Sequence, residues 1–253
     1  IVRSSSLLED SYGTSFAGKY DSYFCANQGS PEENLRALTL AITQIYASVY
    51  SPDALLYRQR MGVLDYSERM AVLIQRVEGE QHGHWFFPAI AGVAFSRNPF
   101  RWTPRIKPEE GLVRLVCGLG TRAVDRTNDY ARMIALSHPS IRPESGVDSI
   151  RKYSQKKMDL LNLDTNRLET QPITAVLHGG MSWIRMLAQQ HSNGDLRTLL
   201  MVSSNIDPAS LVLTFDQMMQ YTEFVPQIKR MLKKLSEHYD NAVDIEFTAQ
   251  IIH

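Results

Sequence analysis

The chain has 253 residues, 43% of them apolar and 21% charged, the composition of a folded globular protein of one large domain or two small ones. Lysine plus arginine and aspartate plus glutamate both number 27, so the basic excess of a dedicated nucleic-acid binder is absent, and only a local pocket for a small polyanion stays open. The two cysteines, Cys25 and Cys117, lie far apart and outside metal-type spacing, which fits a reduced, cytoplasmic setting; no run of 18 apolar residues suggests a membrane span.

Residues 1–25 read as a strand, a glycine-containing loop and a second extended stretch. Ile1-Val2 runs into Arg3, the hydroxyls of Ser4-Ser5-Ser6, then Glu9-Asp10 and Ser15-Phe16-Ala17-Gly18-Lys19. A guanidinium fork beside hydroxyls and a glycine turn suits a phosphate cradle. The competing reading pairs Arg3 with Glu9 or Asp10. No Walker-type glycine-lysine loop is present.

A helix is predicted from Ser30 as N-cap, with Pro31 in the first position and Glu33 completing a capping box. Leu35, Leu38, Ile42, Ile45 and Val49 follow at helical spacing and are expected to bury one face. Ser51-Pro52 starts a second helix that stops near Gly62. The period then changes. Short apolar runs at Met70–Val77, Ile90–Phe95, Leu112–Cys117 and Arg132–Leu136, separated by turn residues, predict a largely antiparallel sheet. The stretch from Phe100 to Glu110 is expected to be an exposed loop. Residues 144–222 read as mixed helices and loops, with loops at Asn193-Gly194-Asp195 and Asp207-Pro208. An amphipathic helix follows around Phe224, Ile228, Met231, Leu232 and Leu235, with Lys229, Arg230, Lys233 and Lys234 on its wet side.

Val243-Asp244-Ile245-Glu246-Phe247-Thr248 alternates strictly. A strand puts Asp244 and Glu246 on one face, roughly 6.5 Å apart, within reach of one hard cation or two neighbouring ones. The bland alternative is the solvated face of an edge strand. His82-Gly83-His84 has no third ligand nearby, and His178-Gly179-Gly180 reads as a packing turn rather than a reactive histidine.

Five blocks in order resemble the ATP-binding domain of the phosphoenolpyruvate synthase and pyruvate, phosphate dikinase family. They are Ile1 to Lys19 with its arginine, serines and Phe16-Ala17-Gly18-Lys19; Tyr57-Arg58-Gln59-Arg60-Met61-Gly62; Ala71 to Val77; Gly92 to Pro99 with Gly118-Leu119-Gly120; and Asp244-Ile245-Glu246-Phe247-Thr248. The resemblance implies an α+β, ATP-grasp fold, a mainly antiparallel sheet flanked by helices. Residues 1–140 then form a nucleotide-binding subdomain. Residues 141–253 form the remaining α+β part, ending in the acidic strand.

The resemblance also implies roles. Arg3 holds ATP phosphates as the catalytic arginine, with Ser22 near them. Gln75, Arg76 and Val77 line the adenine pocket, partly through backbone groups. Asp244 and Glu246 hold Mg²⁺, Glu246 also meeting the nucleotide. In such enzymes ATP phosphorylates a histidine on a swivelling domain, which then carries the phosphoryl group to pyruvate on a separate barrel. Neither domain is in this chain, which is expected to be an internal fragment. The expected partners are therefore those two domains and ATP; a homo-oligomer is compatible, and neither nucleic acid nor membrane is implied. One departure stands out: the family's usual glutamate after Gly118-Leu119-Gly120 is replaced by Thr121-Arg122. That leaves two alternatives, a related phosphotransferase with another acceptor, or a degenerate ATP-sensing module without catalysis.

Overall fold

A computed structural model describes residues 1–9, 20–124 and 129–251. Asp10 and the Ser15–Lys19 part of the first block lie outside the described residues. Contacts divide the chain into two units, Ile1–Phe86 with Leu161–Leu168, and Phe87–Leu160 with Glu169–His253. The architecture is α+β with antiparallel sheets, as the ATP-grasp resemblance implies. Among the described residues no helix is long and apolar enough to cross a membrane.

The first unit opens with β1 (Val2–Ser6) and β2 (Ser22–Tyr23), followed by α1 (Pro31–Ser48), α2 (Pro52–Arg60) and β3 (Met70–Ile74). The sheet order is β2-β1-β3, both pairings antiparallel. Helix α1 starts where its capping box directs. The Ser30 hydroxyl accepts from the Glu33 amide at 3.3 Å, and the Glu33 carboxylate accepts from the Ser30 amide at 2.8 Å. Ala41 and Ile45 of α1 pack on Val2, with Tyr23, Met70 and Val72 around them. Leu35 does not join this core: it is 64% exposed. The apolar stripe thus extends one turn beyond the sheet it covers.

Helix α2 ends at Gly62, whose φ of 69° supplies the left-handed turn a helix stop needs. Arg58 is buried, and its guanidinium donates to the carbonyls of Leu64, at 3.0 Å, and Tyr66. The Tyr57–Gly62 block therefore includes a clamp on the loop that follows it. The hairpin β4 (Glu80–His82) and β5 (Trp85–Phe87) comes next, turning at Gly83.

The second unit is built on β6 (Ile90–Phe95), β7 (Leu112–Val116), α3 (Thr121–Val124) and β8 (Arg132–Ala135). Between β6 and β7 the Phe100–Glu110 loop exposes Arg101, Arg105 and Lys107 as expected but buries Ile106 as an anchor. Residues 144–222 hold far more strand than their composition suggests. They contain α4 (Val147–Lys152), β9 (Lys157–Asn162), β10 (Arg167–Pro172), α5 (Ile173–Val176), α6 (Ile184–Leu187), β11 (Ala188–Ser192), β12 (Asp195–Thr198), β13 (Leu211–Leu213) and α7 (Asp216–Tyr221). Asn193 and Gly194 both have positive φ, 53° and 84°, and form the two-residue hairpin turn between β11 and β12.

Helix α8 (Phe224–Tyr239) and β14 (Asp244–Ala249) complete the unit. The main sheet has the order β14-β6-β7-β8. Phe224 of α8 meets Phe247 of β14, ring centroids 5.8 Å apart, so α8 covers one face. Ala123 of α3 packs on Ala91, Val93 and Val116, on the other. Gly92 lets β6 and β7 approach closely: a Cβ there would lie 2.3 Å from the Arg114 carbonyl oxygen of the neighbouring strand. The basic side of α8 is partly paired, with Lys229 donating to Glu110 at 2.8 Å.

Candidate functional site

Strand pairing in the first unit brings two of the expected residues together. Arg3 lies directly opposite Ser22 on β2 and Leu73 on β3. Facing residues of paired strands share a side of the sheet. Val2 points to α1, so Arg3, Ser22, Ser5, Ala71 and Leu73 occupy the opposite face. Arg3 is half-buried and the other four are exposed. An arginine with a hydroxyl beside it, on a sheet face open to water, is a suitable anion platform.

The neighbouring serines are used differently. The Ser4 hydroxyl donates to the Glu9 carboxylate at 2.7 Å, and the Ser6 amide donates to the same carboxylate at 2.9 Å. The Ser6 hydroxyl accepts from the Leu8 amide at 3.1 Å. These groups build the turn that leaves β1.

Gln75, Arg76 and Val77 follow β3 and rim a cavity of 620 Å³ whose lining belongs entirely to the first unit. The Gln75 amide donates to the Ile1 carbonyl at 2.9 Å, and its carbonyl accepts from the Ile1 nitrogen at 2.8 Å. That backbone is therefore committed to the sheet. Arg76 is exposed and sits 3.6 Å from Glu78. Leu35 and Leu38 of α1 line the same cavity, which accounts for the apolar stripe that continues past the core. Phe86 of the hairpin and Leu161 of β9 line it as well. Sequence reasoning did not link these four: helical spacing assigns the leucines to a core, which Leu38 joins and Leu35 does not, and nothing local links Phe86 to Leu161. The volume, largely apolar walls and a few amides suit a planar heterocycle better than a free phosphate.

In the second unit, β14 is the edge strand, and Asp244, Glu246 and Thr248 point to water while Ile245 and Phe247 are half-buried. The two carboxylates share one face, opposite Phe95 and Val93 of β6. Arg114, paired with Val93, lies on that face one strand further in. Partial desolvation pushes the Asp244 carboxyl above its ordinary value even though much of the side chain meets water. A raised carboxyl pKa favours the fold only in acid, and that contribution is lost as pH rises through it. Asp244 therefore does not stabilise the fold at neutral pH. Among the described residues no cluster of three His, Cys, Asp or Glu side chains forms a ready metal cage. Two hard oxygen donors on one face fit Mg²⁺, which keeps waters and shares its shell with phosphates.

The Thr121-Arg122 departure is absorbed by a buried network. Asp159 of β9 accepts from Thr121 Oγ1 at 2.7 Å, Arg122 Nε at 2.9 Å and Thr170 Oγ1 at 2.5 Å. Asp129 lies 3.5 Å from Arg122 Nη1 and accepts from the Lys156 and Lys157 amides, each at 2.8 Å. Arg122 is thus a structural cation. His178 is exposed, and the adjacent Gly179 permits close backbone approach: a Cβ there would lie 2.3 Å from the Ser203 carbonyl oxygen.

A family model described as pyruvate phosphate dikinase, AMP/ATP-binding domain, matches residues 1–252. A rifampicin phosphotransferase of Streptomyces sviceus is 36% identical over 98 residues, covering 39% of this chain and 10% of that protein. A rifampicin phosphotransferase of a Streptomyces sp. is 34% identical over 98 residues, again 39% of this chain and 10% of that protein. The uncharacterized phosphotransferase YvkC of Bacillus subtilis is 32% identical over 123 residues, 49% of this chain and 13% of that protein. The matched stretches span about a tenth of these relatives' own length.

Proposed function

The chain belongs to the pyruvate phosphate dikinase AMP/ATP-binding domain family, and from that premise we propose that it is the Mg·ATP-binding part of a phosphoenolpyruvate synthase-like dikinase. In this reading Arg3 and Ser22 meet the phosphates, and the cavity rimmed by Gln75, Arg76 and Val77 takes the adenine. Asp244 and Glu246 would hold Mg²⁺, which supplies charge neutralisation to the phosphates of ATP. The family match over residues 1–252 carries the reading; Arg3 and Ser22 face each other on the open side of the sheet, and the cavity opens at the sheet's end beside Ile1 and Gln75.

The chain's own contribution is positioning and electrostatics. Arg3 presents two parallel donors to phosphate oxygens, a geometry that favours one orientation of the triphosphate. The apolar cavity walls keep water from the base. The acceptor is a histidine on another domain of the parent protein. Its ring nitrogen forms a P–N bond while the P–O bond to the departing phosphate or nucleotide breaks and that oxygen keeps the electron pair. Transfer from that histidine to pyruvate completes the sequence.

A second reading keeps ATP and changes the acceptor. Two of the relatives are rifampicin phosphotransferases by name, so an acceptor other than pyruvate is the specific alternative. Calorimetric titration of the full-length protein with ATP, with and without Mg²⁺, tests what both share. Binding should strengthen with Mg²⁺, and Asp244→Asn should remove most of that gain. Equal affinity with and without the metal would overturn the role of the acidic strand.

A further inference from the structure

Among the described residues, Phe86 is the single aromatic side chain lining the first unit's cavity. Three side-chain amides around it, those of Asn34, Gln81 and Gln28, make hydrogen bonds close to home. Asn34 exchanges two hydrogen bonds with the Gly29 backbone, at 2.8 and 3.1 Å. Gln81 donates to the Gly83 carbonyl at 2.8 Å, and Gln28 to the Ala26 carbonyl at 3.2 Å. The Gln75 backbone is held by Ile1. The Asn34 amide and the Gln75 backbone are thereby committed to the protein, whereas Phe86 offers a planar ligand a π face.

The position of Phe86 is set before any ligand arrives. It pairs with Leu161 of β9, and the adjacent Trp85 pairs with Asn162. The Leu163 amide donates to the His84 carbonyl at 2.9 Å, and the His84 ring lies against Trp85, centroids 3.9 Å apart. Strand alternation turns the next residue, Phe87, the other way, where it is fully buried and edge-on to Trp183. Phe86 by contrast stays half-exposed in the cavity wall. A fixed ring with one side on a cavity needs no ordering at the moment of binding.

We propose that Phe86 is the stacking platform for the purine ring of the nucleotide, which makes the β4–β5 hairpin the element that sets base affinity. The proposal rests on the nucleotide-binding reading and adds a residue to it.

The test compares Mg·ATP with Mg·tripolyphosphate, which has the phosphates and no base, by calorimetry on the full-length protein. Phe86→Ala should weaken ATP binding about ten- to a hundredfold. Phe86→Leu, which keeps apolar bulk and loses the ring, should lose most of the same affinity, and Phe86→Tyr should retain it. Tripolyphosphate should bind all four proteins alike, which also reports that each is folded. ATP affinity unchanged in Phe86→Leu, or tripolyphosphate affinity falling in parallel with ATP, would overturn the stacking role alone. A wild-type protein that binds neither ligand would overturn the nucleotide-binding reading and the stacking role with it.

Discussion

Replacing Arg3 with alanine is expected to weaken Mg·ATP binding by about 30- to 700-fold, the equivalent of about 2–4 kcal/mol for truncating one partner of a charge-assisted contact. The fold should survive. Arg3 points away from α1, toward a face whose neighbours Ser5, Ser22, Ala71 and Leu73 are all exposed. Thermal unfolding of the variant without ligand should therefore stay close to that of the wild type, separating loss of binding from loss of structure. Arg3→Lys keeps the charge but not the planar fork, so it should recover only part of the affinity. An Arg3→Ala protein that binds Mg·ATP like the wild type would remove Arg3 from the site.

The largest expected effect on stability belongs to Asp159. Alanine there strips three donors of their acceptor, Thr121, Arg122 and Thr170. Arg122 keeps only 11% of its side-chain surface in water, with Asp129 3.5 Å away as its remaining counter-charge. Breaking a buried pair by removing one partner costs about 3–5 kcal/mol, because the other charge stays behind. Urea denaturation should show a correspondingly lower midpoint. Arg122→Ala in the same background should give some of that back, since the stranded cation is then gone. If Asp159→Ala leaves the midpoint unchanged, the network has no structural role.

The strands β1 and β14 are legible in the sequence because their signals are local, an apolar start running into polar residues and a strict period of two. The start of α1 was readable for the same reason, since Ser30, Pro31 and Glu33 act within one turn. Gln75 to Val77 were identified only through family resemblance, and the cavity they rim also needs Leu35 from α1, Phe86 from a hairpin and Leu161 from β9. No short-range pattern connects such residues. Leu35 was expected in the core because helical spacing reports which side chains share a face, not what that face meets.

The strands of residues 144–222 were missed for a different reason. Their polar faces dilute the alternation, as in Arg167-Leu168-Glu169-Thr170-Gln171. Yet Asn193-Gly194 is a strong hairpin signal, and read as a turn between strands rather than as a loop it predicts β11 and β12. The Thr121-Arg122 departure looked like lost chemistry because its partner Asp159 lies 38 and 37 residues away. In the fold both residues bond the Asp159 carboxylate.

In the proposed function this chain supplies the nucleotide for phosphoryl transfer to histidine. The most direct measurement incubates the full-length protein with Mg·ATP radiolabelled in its β- and γ-phosphoryl groups and follows acid-labile, base-stable label on the protein. Phosphohistidine label is expected in the wild type and should be lost in Arg3→Ala. Tight Mg·ATP binding by the wild type with no phosphohistidine label would contradict that function and identify an ATP-sensing module instead.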